Sequence, residues 1–439
     1  MTAPQIPNLF KVPELKEKIL FTLLCLLIYR LGAHIATPGV NVQALADFLK
    51  NAGQGTLFSL YDLFAGGGFS RATVFALGIM PYISASIVFQ LAAPVFPVVE
   101  KMQRDEEGRK TLTQWTRYLT VLLCLFQSYG YALFAEQLPG AVAHPGWAFR
   151  MTTVLTLSTG GIFIMWLGEQ ITERGIGNGA SLLIFFSIVE RIWPETLRTL
   201  EALRAGSLTV AVLIIVVGIM VLVVAGTVAV TVAARRIPIQ IPRKVMGRGR
   251  IREGQKTFIP LRINSSGVMP IIFAQSLIIV PGTLATFSGS PTLKHLAEYF
   301  NVTSPLYLLT MSVLIIFFAY FYTSIIFNPV DLAENLKKQG GFIPGVKPGA
   351  ATADYIDDVL SRITLPGAVF LTVVAMLPIV VSSVLNMPFG FGGTALLIVV
   401  GVALDTVQQV QQHLLLRHYD GFMRGGGGGS GSSRVRFRR

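Results

Sequence analysis

Glu169, Glu190 and Asp405 are the carboxylates within the long apolar runs of this chain, and they lie far apart in sequence. The first two sit near the ends of such runs, and Asp405 sits deeper in one. A proton- or ion-coupled transporter needs buried ionisable groups arranged as a relay, and these three are a thin basis for one. The five histidines, His34, His144, His295, His413 and His418, show no metal-ligand spacing. No phosphate-cradling glycine loop and no nucleophile–base constellation occurs. The chain is therefore expected to be no enzyme, to hold no metal and no cofactor, and to draw any energy for transport from a partner. Positive charge, by contrast, is concentrated. Segment 235–262 carries Arg235, Arg236, Arg243, Lys244, Arg248, Arg250, Arg252, Lys256 and Arg262 among β-branched residues, glycines and prolines. Segment 328–364 adds Lys337, Lys338, Lys347 and Arg362 around Gly340-Gly341-Phe342-Ile343-Pro344-Gly345. Three roles compete for such loops: a topology anchor, contact with lipid headgroups, or docking of a large anionic partner, RNA included.

The elements that must position these residues are membrane spans. Of 439 residues, 52% are hydrophobic and 13% charged, where soluble domains carry about a quarter charged residues. A span needs about 20 mainly apolar residues. On that measure about ten lie near 19–36, 72–92, 117–135, 151–170, 179–193, 208–234, 267–287, 305–327, 365–385 and 391–411. Residues 11–18 read as a short interfacial helix feeding the first span, with no convincing cleavage site after it. Cys25 and Cys124 both fall inside apolar runs, so no disulfide framework is implied. Placing the N-terminus in the cytoplasm assigns about 28 of the 36 Lys and Arg to inside loops and tails. An even span number returns the C-terminus to the same side. Arg30 stays within the first span, and the outside segment 194–206 breaks the bias with Arg198 and Arg204. The Gly425–Ser433 stretch has the composition of a flexible linker and reads more as a grafted tail than a natural segment.

Two internal features suggest a path. Gly78-Ile79-Met80-Pro81-Tyr82-Ile83-Ser84-Ala85 is echoed by Gly267-Val268-Met269-Pro270-Ile271-Ile272-Phe273-Ala274. Each copy opens the second span of one half. Five spans per half reverse the second copy, the inverted-repeat arrangement in which a path forms between halves. On the outer side, Leu57–Phe64 is apolar but too short to span, and Ala65-Gly66-Gly67-Gly68 follows it. A half-helix on a glycine hinge can re-enter the protein if it is shielded from lipid.

The run from Ser59 to Phe64, continuing through Gly78–Ser86, resembles the first signature of the SecY family, the central subunits of bacterial protein-conducting channels. Gly168-Glu169-Gln170-Ile171-Thr172-Glu173-Arg174-Gly175-Ile176-Gly177-Asn178-Gly179 resembles the second. Phe342–Gly349 and Phe391-Gly392-Gly393-Thr394 extend the resemblance over residues 10–424, with Lys347 standing where the family usually has Arg. Lys keeps the charge but loses the planar fork.

The resemblance implies an all-α polytopic membrane protein with two inverted five-helix halves around an hourglass pore. It places 1–18 as an N-terminal segment, 19–193 as one half, 194–206 as an external linker, 207–411 as the other half and 412–439 as a tail. The implied constriction is a ring of Ile79, Ile83, Ile184, Ile188, Ile272 and Ile398. A narrow apolar constriction blocks ions by dewetting, and the i, i+4 pairs Ile79/Ile83 and Ile184/Ile188 each fall on one helix face. Residues 57–68 become the plug, with Leu57, Leu60, Tyr61, Leu63, Phe64, Gly66, Gly67 and Gly68. Gln90, Gln127 and Gln275 become latches on a lateral gate, where spans two and three face seven and eight. Arg243, Lys244, Arg248, Arg250, Lys347 and Arg362 become the docking surface for a SecA motor or a ribosome, including its RNA.

The expected function is thus to pass unfolded, signal-peptide-bearing polypeptides across the bacterial inner membrane and to release membrane segments sideways into the bilayer. Both termini would be cytoplasmic, with SecE-like and SecG-like small subunits alongside. The alternative is a secondary transporter of lipid or a small solute, for which Asp405 would be the residue to test.

Overall fold

The computed structural model describes residues 13–51, 57–206, 208–240, 244–246, 250–252, 256–264, 266–287, 302, 304–384 and 393–425. Helices dominate. In chain order they are α1 (Pro13–Gly32), α2 (Val42–Asn51), α3 (Leu57–Phe64), α4 (Met80–Val95), α5 (Pro97–Arg104), α6 (Glu106–Gln137), α7 (Trp147–Arg174), α8 (Gly179–Arg204) and α9 (Val210–Val232). Then follow α10 (Met269–Phe287), α11 (Pro305–Ile326), α12 (Pro329–Lys338), α13 (Ala350–Val384) and α14 (Gly393–Gly425). Each of the ten expected spans falls on one of these: α1, α4, α6 to α11, α13 and α14.

Sequence sets many of the boundaries. The Asn178 side chain accepts from the Ser181 amide at 3.2 Å to start α8. Ser304 does the same for the Tyr307 amide at 3.1 Å, with Pro305 at the head of α11. Asn328 caps α12 ahead of Pro329. These side chains satisfy amides that the first helical turn leaves without partners, and proline there gives up only a donor that would be orphaned anyway.

Several expected boundaries move. Residues 13–18 of the expected interfacial segment continue into the first span as one helix, with no break between them among the described residues. The second span starts at Met80 rather than near 72, because residues 65–79 form successive turns. That span then bends by 112° at Phe96 into α5, between Pro94 and Pro97. The expected linker 194–206 is helical to Arg204, since α8 runs straight through Pro194. Segment 328–364 is largely ordered rather than loop: α12, a turn region, and then the first turns of α13, which continues unbroken into the ninth span.

The all-α fold has one β addition. Strands β1 (Ala234–Gln240) and β4 (Lys256–Arg262) pair antiparallel, and β2 (Lys244–Met246) pairs with β3 (Arg250–Arg252) beyond them. Alternation along Ile237 and Ile239 buries one face of this hairpin, as period-two patterning requires. That face packs with Leu261, Leu336, Ile343, Ile356 and Leu360 into a small core of its own. Gln240 and Phe342 exchange backbone hydrogen bonds of 2.9 and 3.0 Å. The two basic segments are therefore one packed unit, seated on the base of α13.

The main core is a single apolar cluster that draws from both halves. Helix α10 packs on α3, α4 and α6 of the first half, and α14 packs on α8. Helix α9 lies outermost, its apolar residues largely exposed, as a lipid-facing span requires. The chain is a multi-pass membrane protein.

Candidate functional site

The six isoleucines expected to form the ring come from four helices: Ile79 immediately before α4, Ile83 on α4, Ile184 and Ile188 on α8, Ile272 on α10 and Ile398 on α14. All six are at most 4% exposed, and all belong to the core cluster that joins the halves. Ile83, Ile184 and Ile272 also line a cavity of about 140 Å³, with Tyr82, Gln90, Gly168, Met269, Phe273 and Tyr322. One side of the aliphatic contact is thus a chamber with a mixed apolar and polar wall.

Helix α3 lies against two of the helices that carry these isoleucines. Its residues Leu60, Tyr61, Leu63 and Phe64 are buried, with Ala65, Gly66, Gly67 and Gly68 behind them. The helix packs between α8 of the first half and α10 of the second. Gly66 (φ +63°) and Gly67 (φ +74°) occupy the left-handed region, which glycine enters at little cost. Tyr61 donates from its hydroxyl to the Leu77 carbonyl at 3.0 Å. Phe69 stacks edge-on with Tyr61 and Tyr131. Leu57 begins the helix.

The three glutamines are placed differently from one another. The Gln90 carbonyl oxygen accepts from the Tyr322 hydroxyl of α11, tying the two halves, while its amide donates to Ser86 Oγ at 2.8 Å. Gln275 donates to Thr394 Oγ1 at 3.2 Å, a contact inside the second half. Gln127 is buried on α6 with neither amide atom hydrogen-bonded among the described residues. Gln90 and Gln275 thus take separate partners, Tyr322 and Thr394. Spans two and seven differ by an odd number, so they run in opposite directions. From similar starting turns, Gln90 and Gln275 are carried away from each other. Tyr322 is the partner that sequence reasoning missed, because nothing in a single chain pairs two residues more than two hundred apart.

Of the basic residues, Arg243 and Arg248 lie outside the described residues. Lys244 and Arg250 sit on β2 and β3. Lys347 is exposed in the turn before α13, and Thr352 Oγ1 donates to its carbonyl at 2.9 Å. Arg362 is exposed on α13 and pairs with Asp358 one turn earlier at 2.9 Å. Phe391, Gly392 and the linker from residue 426 also lie outside the described residues.

The acids singled out in the sequence are engaged locally. Glu169 accepts from Arg117 at 2.9 Å, joining α7 to α6. Glu190 pairs with Arg30 and, at 3.4 Å, with Arg71. Sequence flagged Arg30 and Glu190 separately, and the signal that could have joined them was available: a charge within a span demands a counter-charge. Asp405 faces Gly267, whose Cβ position lies 3.3 Å from Oδ2. Nearby, Arg262 donates to Gln408 at 2.5 Å. These contacts spread the acids over separate places rather than forming a relay.

The family profile of SecY matches residues 73–407. The protein translocase subunit SecY of Aquifex aeolicus (strain VF5) is 44% identical over 424 residues, covering 95% of this chain and 98% of its own. Among solved structures, one described as the structure of a protein conducting channel aligns with a TM-score of 0.67 at 19% identity, over 93% of this chain and 97% of that one. Sec61 in the canine ribosome-channel complex from the endoplasmic reticulum aligns with a TM-score of 0.63, also at 19% identity, with the same coverage. At that identity the two structures speak for the fold.

Proposed function

The chain belongs to the SecY family and is a channel subunit of protein translocation, and from that premise we propose how its parts divide the work. Unfolded polypeptide threads between the halves, through the ring of Ile79, Ile83, Ile184, Ile188, Ile272 and Ile398. Aliphatic walls offer a moving chain no fixed hydrogen bonds to break, and when no chain is present they expel water and so exclude ions. The observation that carries this reading is the burial of all six in one cluster drawn from both halves, with three of them lining a chamber and α3 packed on α8 and α10. Residues 57–68 act as the plug. The α4/α6 and α10/α11 contacts form the lateral gate, through which signal peptides and membrane segments reach lipid. The Gln90–Tyr322 hydrogen bond spans that seam.

The β1–β4 hairpin and the α12–α13 region form the cytoplasmic docking surface, placing both termini in the cytoplasm of a bacterial cell and the chain in its inner membrane. Partners are a SecA motor and the ribosome, whose RNA suits Lys and Arg side chains, together with SecE-like and SecG-like subunits. The exposed Lys347 and the coupling of the two basic segments through Gln240 and Phe342 support a single rigid platform.

The path is tested by a cysteine pair introduced across α4 and α10 and oxidised in membranes. Translocation of a secretory precursor should stop and resume on reduction. A verified, high-yield crosslink with translocation at full rate would remove the gate from these helices. The platform is tested by reversing Arg248, Arg250 and Lys347 to Glu, which should weaken motor ATPase stimulation and ribosome co-sedimentation by like-charge repulsion. Normal values in both would leave those charges to topology alone.

A further inference from the structure

Asp62 is the one carboxylate of the largely apolar helix α3, and its side chain is 7% exposed. A bare carboxylate so placed is costly unless it is paired and hydrogen-bonded. Both conditions are met. Oδ2 lies 3.2 Å from Arg191 Nη1 on α8, and Oδ1 accepts from the Ser70 amide at 2.9 Å. The Asp62 carbonyl also accepts from the Gly67 amide at 2.8 Å. Asp62 therefore holds the folded form of the glycine hinge and its attachment to α8 at the same time.

The far side of the hinge is tied to the same helix. Arg71, just past the glycines, reaches Glu190 at 3.4 Å, and Arg30 of α1 pairs with the same carboxylate. Between these anchors the backbone comes close to α8. A Cβ on Gly66 would sit 3.2 Å from Ser187 Oγ, and Ser187 shares a 2.8 Å hydrogen bond with the Tyr29 hydroxyl. Ser187, Glu190 and Arg191 are spaced i, i+3 and i+4, so one face of α8 meets all of these contacts.

We propose that Glu190 and Arg191 are positioning residues that strap the plug hinge to α8 from both ends, so that displacing the plug requires parting Asp62 from Arg191. This rests on reading residues 57–68 as the plug, and it adds a polar lock to what apolar burial supplies. Two adjacent residues of opposite charge on α8 meet two hinge residues of the complementary charges, one on each side of the glycines. A helix held by apolar contact alone could slide or roll. Paired charges in a part-buried place fix one seat, because any other leaves a charge without its partner. Arg191 is 24% exposed, so the pair acts with less than the full force of a buried one.

The test is the resting ion conductance of the full channel complex in planar bilayers. Arg191→Gln and Asp62→Asn should each raise the resting leak roughly tenfold, with the double variant no leakier than either single one, because both remove one contact. Arg191→Lys, and the exchange Asp62→Arg with Arg191→Asp, should restore much of the seal. A purely structural role would not predict rescue by exchange. Deletion of Leu57–Phe64 runs alongside. If the deletion leaks while Arg191→Gln and Asp62→Asn stay tight, the strap is wrong and the plug reading stands. If the deletion stays tight, the plug reading falls and the strap falls with it. Leaks that add in the double variant and resist rescue also overturn the proposal. Asp62→Asn nearly preserves shape, so it carries the test should Arg191→Gln fail to accumulate.

Discussion

The opening turns of α4 and α10 carry nearly the same residues but do different work. Both have a glycine in the left-handed region, Gly78 at φ +58° and Gly267 at φ +62°. Both place Met at the first helical position and Pro at the second. Five residues past each glycine stands an isoleucine, Ile83 or Ile272, and the two line the same cavity. The surroundings differ. A Cβ on Gly78 would lie 3.1 Å from the Ala65 Cα at the hinge, while one on Gly267 would face the Asp405 carboxylate at 3.3 Å. Further along, Gln90 reaches across to α11 whereas Gln275 stays with α14. A repeated motif thus fixes the shape of two helix starts and the meeting of their isoleucines. It leaves each half free to recruit its opening for a separate contact, meeting the turn after α3 in one and facing an acid in the other.

The largest expected effect tests the shared part. Replacing Ile83 and Ile272 together with Asn should turn a silent resting channel into an ion-conducting one, because amides hold water where isoleucine expels it. Unchanged bilayer conductance would remove both from the constriction.

The next test separates the two turns. Gly78→Ala should cost about 3 kcal/mol of stability in detergent unfolding, from a forced left-handed alanine plus backbone crowding at Ala65. Gly267→Ala should cost about 1–2 kcal/mol, since a carboxylate can swing aside. Equal costs would mean that the plug contact contributes nothing at Gly78.

A smaller effect distinguishes the glutamines. Tyr322→Phe deletes the hydrogen bond between halves, worth about 1 kcal/mol, and should ease gate opening, seen as faster translocation of precursors with weak signal peptides. Gln275→Leu should leave that rate nearly unchanged, because its bond lies within one half. The reverse pattern would transfer the gate latch to α10. Smallest of all, Pro81→Ala and Pro270→Ala should each shift stability by under about 0.5 kcal/mol, since a first-turn proline forfeits no helical hydrogen bond. A large loss at one of them alone would mark a real asymmetry between the two turns.

Sequence by itself determined where the apolar helices fall, the short helix Leu57–Phe64 ahead of its glycines, and the paired helix openings. Those follow from local rules: apolar length, the freedom of glycine, and proline at helix starts. Its motifs also carried the family. It did not contain the continuity of α8 through Pro194 or the packing of two basic segments into one hairpin-centred unit, because packing elsewhere overrides a local breaker and a loop-like composition. Nor could it join Gln90 to Tyr322 or Asp62 to Arg191. Such pairs depend on which helix faces meet across the bundle, and the chain encodes that only through the sum of all its contacts. Tertiary structure decided the partners, because a buried polar group takes whichever complement the fold brings within reach.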